Sequence, residues 1–529
     1  MNPRALLLDS FRAAVAAADP ATVLPPHLPA PPHGRTVVVG GGTAGAVLAA
    51  RLGEDPDRDV ILIEAGPVGE TPVELLDGST LPAAIPGHPA NWGYESELMP
   101  GVSTIVPRGR LLGGSSAVNG GYCVRAREGD FGRWAQAGRR AWAYAAALPI
   151  LADLETDLDF GAASGHGASG PIPIQRPPQG GILTAAFTDA ARELGFPDEE
   201  DKNAPGALPG IGPVPMNVID GVRVNTAMAY IDQARDRPNL ALIGDTRVTR
   251  ILATGARAVG VETIHGGTVN RIDADEVVLC AGAVATAQLL LLSGIGPRAD
   301  LEKLGIPVVA DLPVGASFHD HPNLAFPTAL NFRSSKSAHR EGDVEILLTA
   351  RPDEALFGGI AEPSGSPHTV TENAEFRLIV GLQQPLSRGR LTLRSADPLD
   401  PPRIEYRYLE HPEDRTRFRI GVRTAAAILQ SRAFSKIFGR FASLDRATLD
   451  DDQLLDQWIR EHLGTAIHMC GTAPMGEVVD GSGRVNGISG LRVADTSILP
   501  TAPSRGPFNT AVFIGELISR MMRAERRSH

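Results

Sequence analysis

Three glycines spaced Gly40-x-Gly42-x-x-Gly45 stand directly after the apolar run Thr36–Val39. A second apolar run, Val60–Ile63, ends at the acid Glu64. These residue types at this spacing suit a dinucleotide. Gly40 permits a tight turn, Gly42 lets a pyrophosphate approach the backbone, and Gly45 lets a helix sit close to the strand before it. The phosphates would rest on that helix's N-terminus, where unpaired N–H groups and the dipole favour negative charge. Glu64 would accept hydrogen bonds from the adenosine ribose. A plain glycine-rich turn would leave Glu64 unexplained. The fingerprint does not separate FAD from NAD, although its place near the start of a long chain leans to FAD.

The elements needed to position these residues are legible around them. TVVV reads as a buried parallel strand because β-branched residues fill it. AVLAARLG reads as a helix, EDPDRD as a turn and VILIE as a second buried strand, which together make a βαβ unit. Leu240–Ile243, Ala258–Thr263 and Glu276–Ala281 continue the same α/β style. Gly/Pro-rich stretches cover Gly161–Gly181 and Asn203–Pro215. A charge-rich helical region is expected from about Asp414 to Leu463, with Glu413–Arg423 as a solvated face. Pro3–Asp19 reads as a small amphipathic helix, followed by a stiff linker with prolines at 25, 26, 29, 31 and 32.

The 529 residues are 43% hydrophobic and 21% charged, which excludes global disorder. A formal charge of −11 argues against a basic face for nucleic acid or anionic lipid. Three scattered cysteines, Cys123, Cys280 and Cys470, make no disulfide framework or zinc motif. The longest apolar stretch, Ala283–Leu292, is too short to span a bilayer. Asp9, Ser10 and Arg12 break any signal-peptide core. The expectation is a cytoplasmic protein with no integral membrane segment, at most peripheral to a membrane.

Two further motifs follow in order. GRLLGGSSAVNG (Gly109–Gly120) is a second glycine-rich stretch, in which Gly113 and Gly114 allow flat packing on a planar ligand and Ser115, Ser116 and Asn119 offer short polar contacts. GAVATAQLLLLSGIG (Gly282–Gly296) follows the strand EVVLCA. With these the chain resembles the glucose–methanol–choline (GMC) family of FAD oxidoreductases, from Thr36 to about Met522. One departure is Ala287, where the family usually has Pro.

The resemblance implies an α/β fold, a Rossmann-like FAD-binding domain interleaved with an α+β substrate domain built on an antiparallel sheet. The expected FAD-binding parts are 35–150, 212–312 and 464–529, the substrate parts 151–211 and 313–463, and 1–34 a leading segment. It also implies that Gly40, Gly42, Thr43, Ala44, Gly45, Glu64 and Ala65 hold the ADP half. The Val248 backbone would meet adenine. Arg110, Gly113, Gly114, Ser115, Asn119 and Gly120 would lie along the flavin half, with Ala281, Gly282 and Asp495 also at the cofactor. Val118 stands where some relatives carry a flavin-linking His, so noncovalent FAD is expected.

In HMCGTAPMG, His468 matches the family's active-site histidine. When hydride leaves an alcohol carbon, the hydroxyl proton needs an acceptor, and an imidazole suits neutral pH. The second family position, usually His or Asn, falls on Phe508 when PTAPSRGPFNTAVFIGE is counted without gaps. Phe cannot donate a hydrogen bond. On an expected β-type backbone the inward choice lies between Phe508 and Asn509, so Asn509 is a candidate catalytic partner and Phe508 a pocket residue.

Other groups have blander readings. His319-Asp320-His321 belongs to the cofactor shell in the family, and no metal is expected. Cys470 reads as packing, Arg505 as a solvated arginine, and Trp92 and Tyr94 as pocket wall or packing.

A narrower likeness, carried by ETDLDF, GPIPIQR, DGVRVNTAMAY and SRGP, is to the mycofactocin-associated branch. It implies reoxidation of reduced mycofactocin, a peptide-derived redox cofactor. The leading reading is hydride transfer from a CH–OH donor to flavin N5. Electrons would pass on to oxygen, a quinone or a redox protein. The alternatives are an oxygen-using oxidase of small or aryl alcohols, a hydroxynitrile-lyase-like member with structural FAD, and an electron relay without substrate chemistry.

Overall fold

The computed structural model describes residues 34–178, 181–326, 328–330, 344–349, 377–441 and 443–527. The expected N-terminal helix and proline linker lie outside the described residues. The elements that build the site are, in chain order, β1 (Arg35–Val39), α1 (Thr43–Leu52), β2 (Asp59–Ile63), β3 (Leu240–Ile243), β4 (Glu276–Leu279), α2 (Gly282–Leu292), β5 (Pro322–Phe326), β6 (Val344–Thr349), β7 (Arg377–Leu382), β8 (Gly464–Thr465), β9 (Leu491–Val493) and α3 (Phe508–Arg527).

A parallel sheet runs in the order β9-β4-β1-β2-β3. Its central strand is buried throughout, because α1 covers one face of the sheet, the antiparallel strands Thr246–Thr254 and Arg257–His265 pack on the other, and the Val run tolerates that. On one side α1 lies against the sheet, and α3 lies against α1. At Gly515 an added Cβ would sit 2.7 Å from the Ala44 carbonyl oxygen, so α3 crosses the first turn of α1 at a distance that only glycine allows. That crossing brings the start of α3 to the glycine-rich loop.

An antiparallel sheet runs β6-β7-β5-β8. Beyond the short β5–β8 ladder the two chains pair again at His319 and Cys470. Between these anchors one chain spans Thr465–Cys470 while the other spans only His319–Pro322. The longer chain therefore bulges, and a bulge re-aims the side chains it carries. His468 sits in it.

Three expectations need correction. The segment after Pro507 is not a strand: a 20-residue helix begins at Phe508, since FNTAVFIGELI places apolar residues at helical spacing. The region 414–463 is not continuously helical, because Phe438–Phe441 forms a strand paired with Thr328–Leu330. Asp414 does not face solvent. It is fully buried and accepts hydrogen bonds from the Leu386 and Ser387 amides and the Ser387 hydroxyl. Among the described residues, no helix is long and apolar enough to cross a membrane.

Candidate active site

The glycine fingerprint folds as its spacing requires. A Cβ on Gly45 would lie 1.9 Å from the Gly40 carbonyl oxygen, so this helix turn packs directly on the loop. Gly114, at φ +52°, meets Gly42 backbone to backbone, and a Cβ there would sit 2.6 Å from the Gly42 Cα. The Gly113 amide donates to the Gly41 carbonyl at 2.7 Å. The two glycine-rich segments thus form one floor. Helix α1 starts at Gly42 with no side-chain cap, leaving its first N–H groups for an anion.

Glu64 accepts from the Gly41 amide (2.8 Å) and the Gly66 amide (2.9 Å). Burial raises its pKa to about 7, against the pull of those amides and Arg110. It therefore shapes the loop as well as facing the cavity. Asp495 accepts from the Gly282 amide (2.8 Å) and the Thr286 hydroxyl (2.6 Å), which ties the start of α2 to the strand end after β9.

One cavity of about 340 Å³ unites these groups. Gly40, Gly42, Thr43, Ala44, Glu64, Ala65, Gly114, Ser115, Asn119, Gly120, Val248, Ala281, Gly282 and Asp495 line it, together with His468 and Phe508. Trp92, Tyr94 and Val118 line it too. An open helix N-terminus, a floor without side chains and a buried carboxylate fit an FAD. Gly45 and Gly113 act behind the wall, as packing. Arg110, expected along the flavin half, does not line the cavity; it is exposed and stacks its guanidinium over Trp92, 5.2 Å from the ring centroid.

His468 enters the cavity from the bulge. Its amide donates to Asp320 Oδ1 at 2.7 Å, and the His321 amide donates to the same oxygen at 2.6 Å. Ile467 before it holds φ +65°, a left-handed conformation that is strained for a β-branched residue. Arg108 Nη1 grips the Ile467 carbonyl at 2.7 Å and so holds that turn. Gly506 leaves room beside the ring, since a Cβ there would be 3.5 Å from His468 Nε2.

The ring partner of His468 is His321, with Nδ1 to Nδ1 at 2.9 Å and the ring planes at 82°. Burial pushes the pKa of His468 well below the usual imidazole value, and His321 and Arg108 add to this. Burial likewise lowers His321 to about 4, opposed by backbone acceptors at Pro503 and Gln383. Asp320 is raised by burial to about 6, with Arg108 pulling the other way. Sequence reasoning placed Asp320 and His321 in the cofactor shell. The spacing of the His-Asp-His run gave no sign of contact with a segment almost 150 residues away, and Arg108 carried no signal at all.

Phe508 lines the cavity and Asn509 does not. Asn509 is buried, and its Nδ2 faces Cys123 Sγ at 3.7 Å. A helix turns successive side chains by about 100°, so the strand-like choice between opposite faces never arises. Nothing therefore brings Asn509 beside His468.

Two likeness segments lie away from the cavity. Glu155, Asp157 and His166 cluster at metal-ligand distances, but arginines already hold the carboxylates. Arg125 Nη2 is 2.6 Å from Glu155 and Arg176 Nη1 is 2.6 Å from Asp157. The His166 ring lies 3.0 Å from Glu155 and 2.8 Å from Asp201. Arg505 corrects its solvated reading: it is buried and pairs with Glu199 at 2.6 Å.

The chain matches the GMC oxidoreductase family model over residues 35–323 and 385–515. It is 40% identical over 502 residues to an uncharacterized GMC-type oxidoreductase of Rhodococcus erythropolis, covering 92% of this chain and 97% of the relative. It is 35% identical to the oxygen-dependent choline dehydrogenase of Brucella ovis, covering 91% and 94%. Among solved structures, pyridoxine 4-oxidase from Mesorbium loti superposes with a TM-score of 0.83 at 28% identity, covering 93% of this chain and 99% of that one.

Proposed function

The chain belongs to the GMC oxidoreductase family, an FAD oxidoreductase acting on CH–OH donors, and from that premise we propose how its own residues serve the reaction. Bound FAD supplies the hydride acceptor. His468 takes the hydroxyl proton at Nε2, the nitrogen beside the space left by Gly506. His321 sets the tautomer: the His468 Nδ1–H donates to His321 Nδ1, which leaves the proton of His321 on its Nε2. That leaves a lone pair on His468 Nε2 facing the cavity. Asp320 and Arg108 hold the bulge rather than the ring. The lowered pKa keeps His468 neutral, and so able to accept a proton, well into the acid range. Phe508 offers the substrate an apolar wall.

The observation that carries this reading is the shared cavity, in which His468 and the glycine floor are lined up together. We assign Gly40, Gly42, Thr43, Ala44, Glu64, Ala65 and the Val248 backbone to the ADP half. Gly114, Ser115, Asn119, Gly120, Ala281, Gly282 and Asp495 fall to the flavin side. Val118 has no nucleophile, which supports noncovalent attachment. The finer reading, reduced mycofactocin as donor and a respiratory acceptor for the electrons at a cytoplasmic site, is supported by the segments at 155–160, 170–176, 220–230 and 504–507. The first two segments are tied up in buried ion pairs away from the cavity, whereas Gly506 and Pro507 of the last line it.

The test is an anaerobic screen of the holoenzyme against alcohols and reduced mycofactocin. The flavin spectrum should bleach with a substrate, and His468→Ala should slow bleaching by about 10²- to 10⁴-fold while keeping the flavin bound. Turnover without bleaching would point to a lyase. Indifference to His468→Ala would point to a relay.

A further inference from the structure

The antiparallel sheet presents a row of residues across four strands. Asn323 on β5 pairs with Gly381 on β7, and Gly381 pairs with Glu345 on β6. Asn323 also pairs with Gly464 on β8. Residues in register across a sheet share a face. The row therefore reads carboxylate, bare backbone, amide, bare backbone. Gln383, two residues beyond Gly381, lies on the same side and donates from Nε2 to Glu345 Oε2 at 3.0 Å. Asn323, Glu345, Gly381 and Gln383 all line the cavity that holds His468. One row further on, Leu347 and Ile379 pair and line it as well, giving the face an apolar end.

Glu345 is the unusual member. Among the described residues it has no ion-pair partner, and only one of its two oxygens is engaged, by Gln383. The cations near it, Lys202 and Arg505, are committed to Glu199 at 2.8 and 2.6 Å. They act on Glu345 only at longer range. A half-buried carboxylate in a cavity is costly unless something donates to it.

We infer that this row is a recognition subsite for an N–H or O–H donor carried by the substrate away from its carbinol, with Glu345 as the acceptor. The inference rests on the proposed CH–OH reading and names the class of substrate it takes. A quaternary ammonium group fits poorly. It has no N–H, and the row offers it no aromatic face for cation–π contact.

Binding is tested apart from chemistry. n-Hexylamine and hexyltrimethylammonium carry the same charge and differ in their N–H donors. With the holoenzyme at matched ionic strength, the primary amine should raise Tm at concentrations about tenfold lower than the quaternary ion. Glu345→Leu should erase that difference. In kinetics, 1,6-hexanediol should exceed 1-hexanol in kcat/KM by about tenfold, through KM, and Glu345→Leu should level the two. Glu345→Gln, which keeps an acceptor, should restore part of the preference for the diol. Equal binding of the two cations, or a preference that survives in a folded Glu345→Leu enzyme, would overturn the subsite. Failure of every alcohol to bleach the flavin would instead overturn the CH–OH reading, while the cation comparison would still decide whether Glu345 takes a donor.

Discussion

The Nδ1 atoms of His321 and His468 lie 2.9 Å apart, although the two residues come from opposite strands of a bulged pairing. Two imidazoles at that distance share one proton, so each fixes the tautomer of the other. Among the described residues, no carboxylate takes the place that an acid often fills behind a catalytic histidine. Asp320 spends its Oδ1 on the two backbone amides instead.

From this pairing it follows that His321→Asn should slow flavin reduction by on the order of 10- to 100-fold, as losing a partner that orients a reactive group commonly does. The pH–rate profile should also change shape, because the tautomer and basicity of His468 change together. His468→Ala should cost more, about 10²- to 10⁴-fold, the usual worth of a general base. Stopped-flow reduction across pH checks both.

Asn509→Ala should leave kcat within about twofold, since its side chain faces Cys123 and the effect of a group outside the site should not reach the transition state. Phe508→Ala should act mainly on KM by removing an apolar wall. A large fall in kcat for Asn509→Ala, with folding intact by circular dichroism, would return it to the reaction.

Gly114→Ala should give protein poor in flavin. The added Cβ meets Gly42 Cα at 2.6 Å, and φ +52° is itself strained for alanine, by roughly 1–2 kcal/mol. The ratio of flavin to protein absorbance reads the result directly.

His166 governs an alkaline limit to stability. Burial opposes its charge, but hydrogen bonds to Asp157, Asp201 and Glu155 outweigh it and raise the pKa to about 10. A folded pKa above the unfolded value of about 6.5 contributes stability in full below that value. The contribution is lost as pH rises through about 10. Thermal melts from pH 7 to 10.5 should show a falling Tm that is flatter in His166→Gln.

Much of the cofactor half was legible in the sequence because it depends on local geometry. Gly40, Gly42, Gly45 and Glu64 act through turn, helix start and strand end, all within one βαβ unit, and spacing along the chain encodes those relations. Arg110 escaped the same reasoning because a side chain's direction off a loop is set by its neighbours, here Trp92.

What the sequence determined by itself is the kind of chemistry, a glycine floor that suits a dinucleotide and the oxidation of a CH–OH donor, and the histidine we propose as its proton acceptor. Only the tertiary structure decided which groups meet that histidine. The bulge between β5 and β8 brings His321 to His468, the α3 helix turns Phe508 inward and Asn509 away, and the β6-β7-β5 register sets Glu345 in line with Asn323. Each is a contact between segments far apart in the chain. Such contacts arise from strand register and helix phase, and residue spacing carries no record of either across that distance.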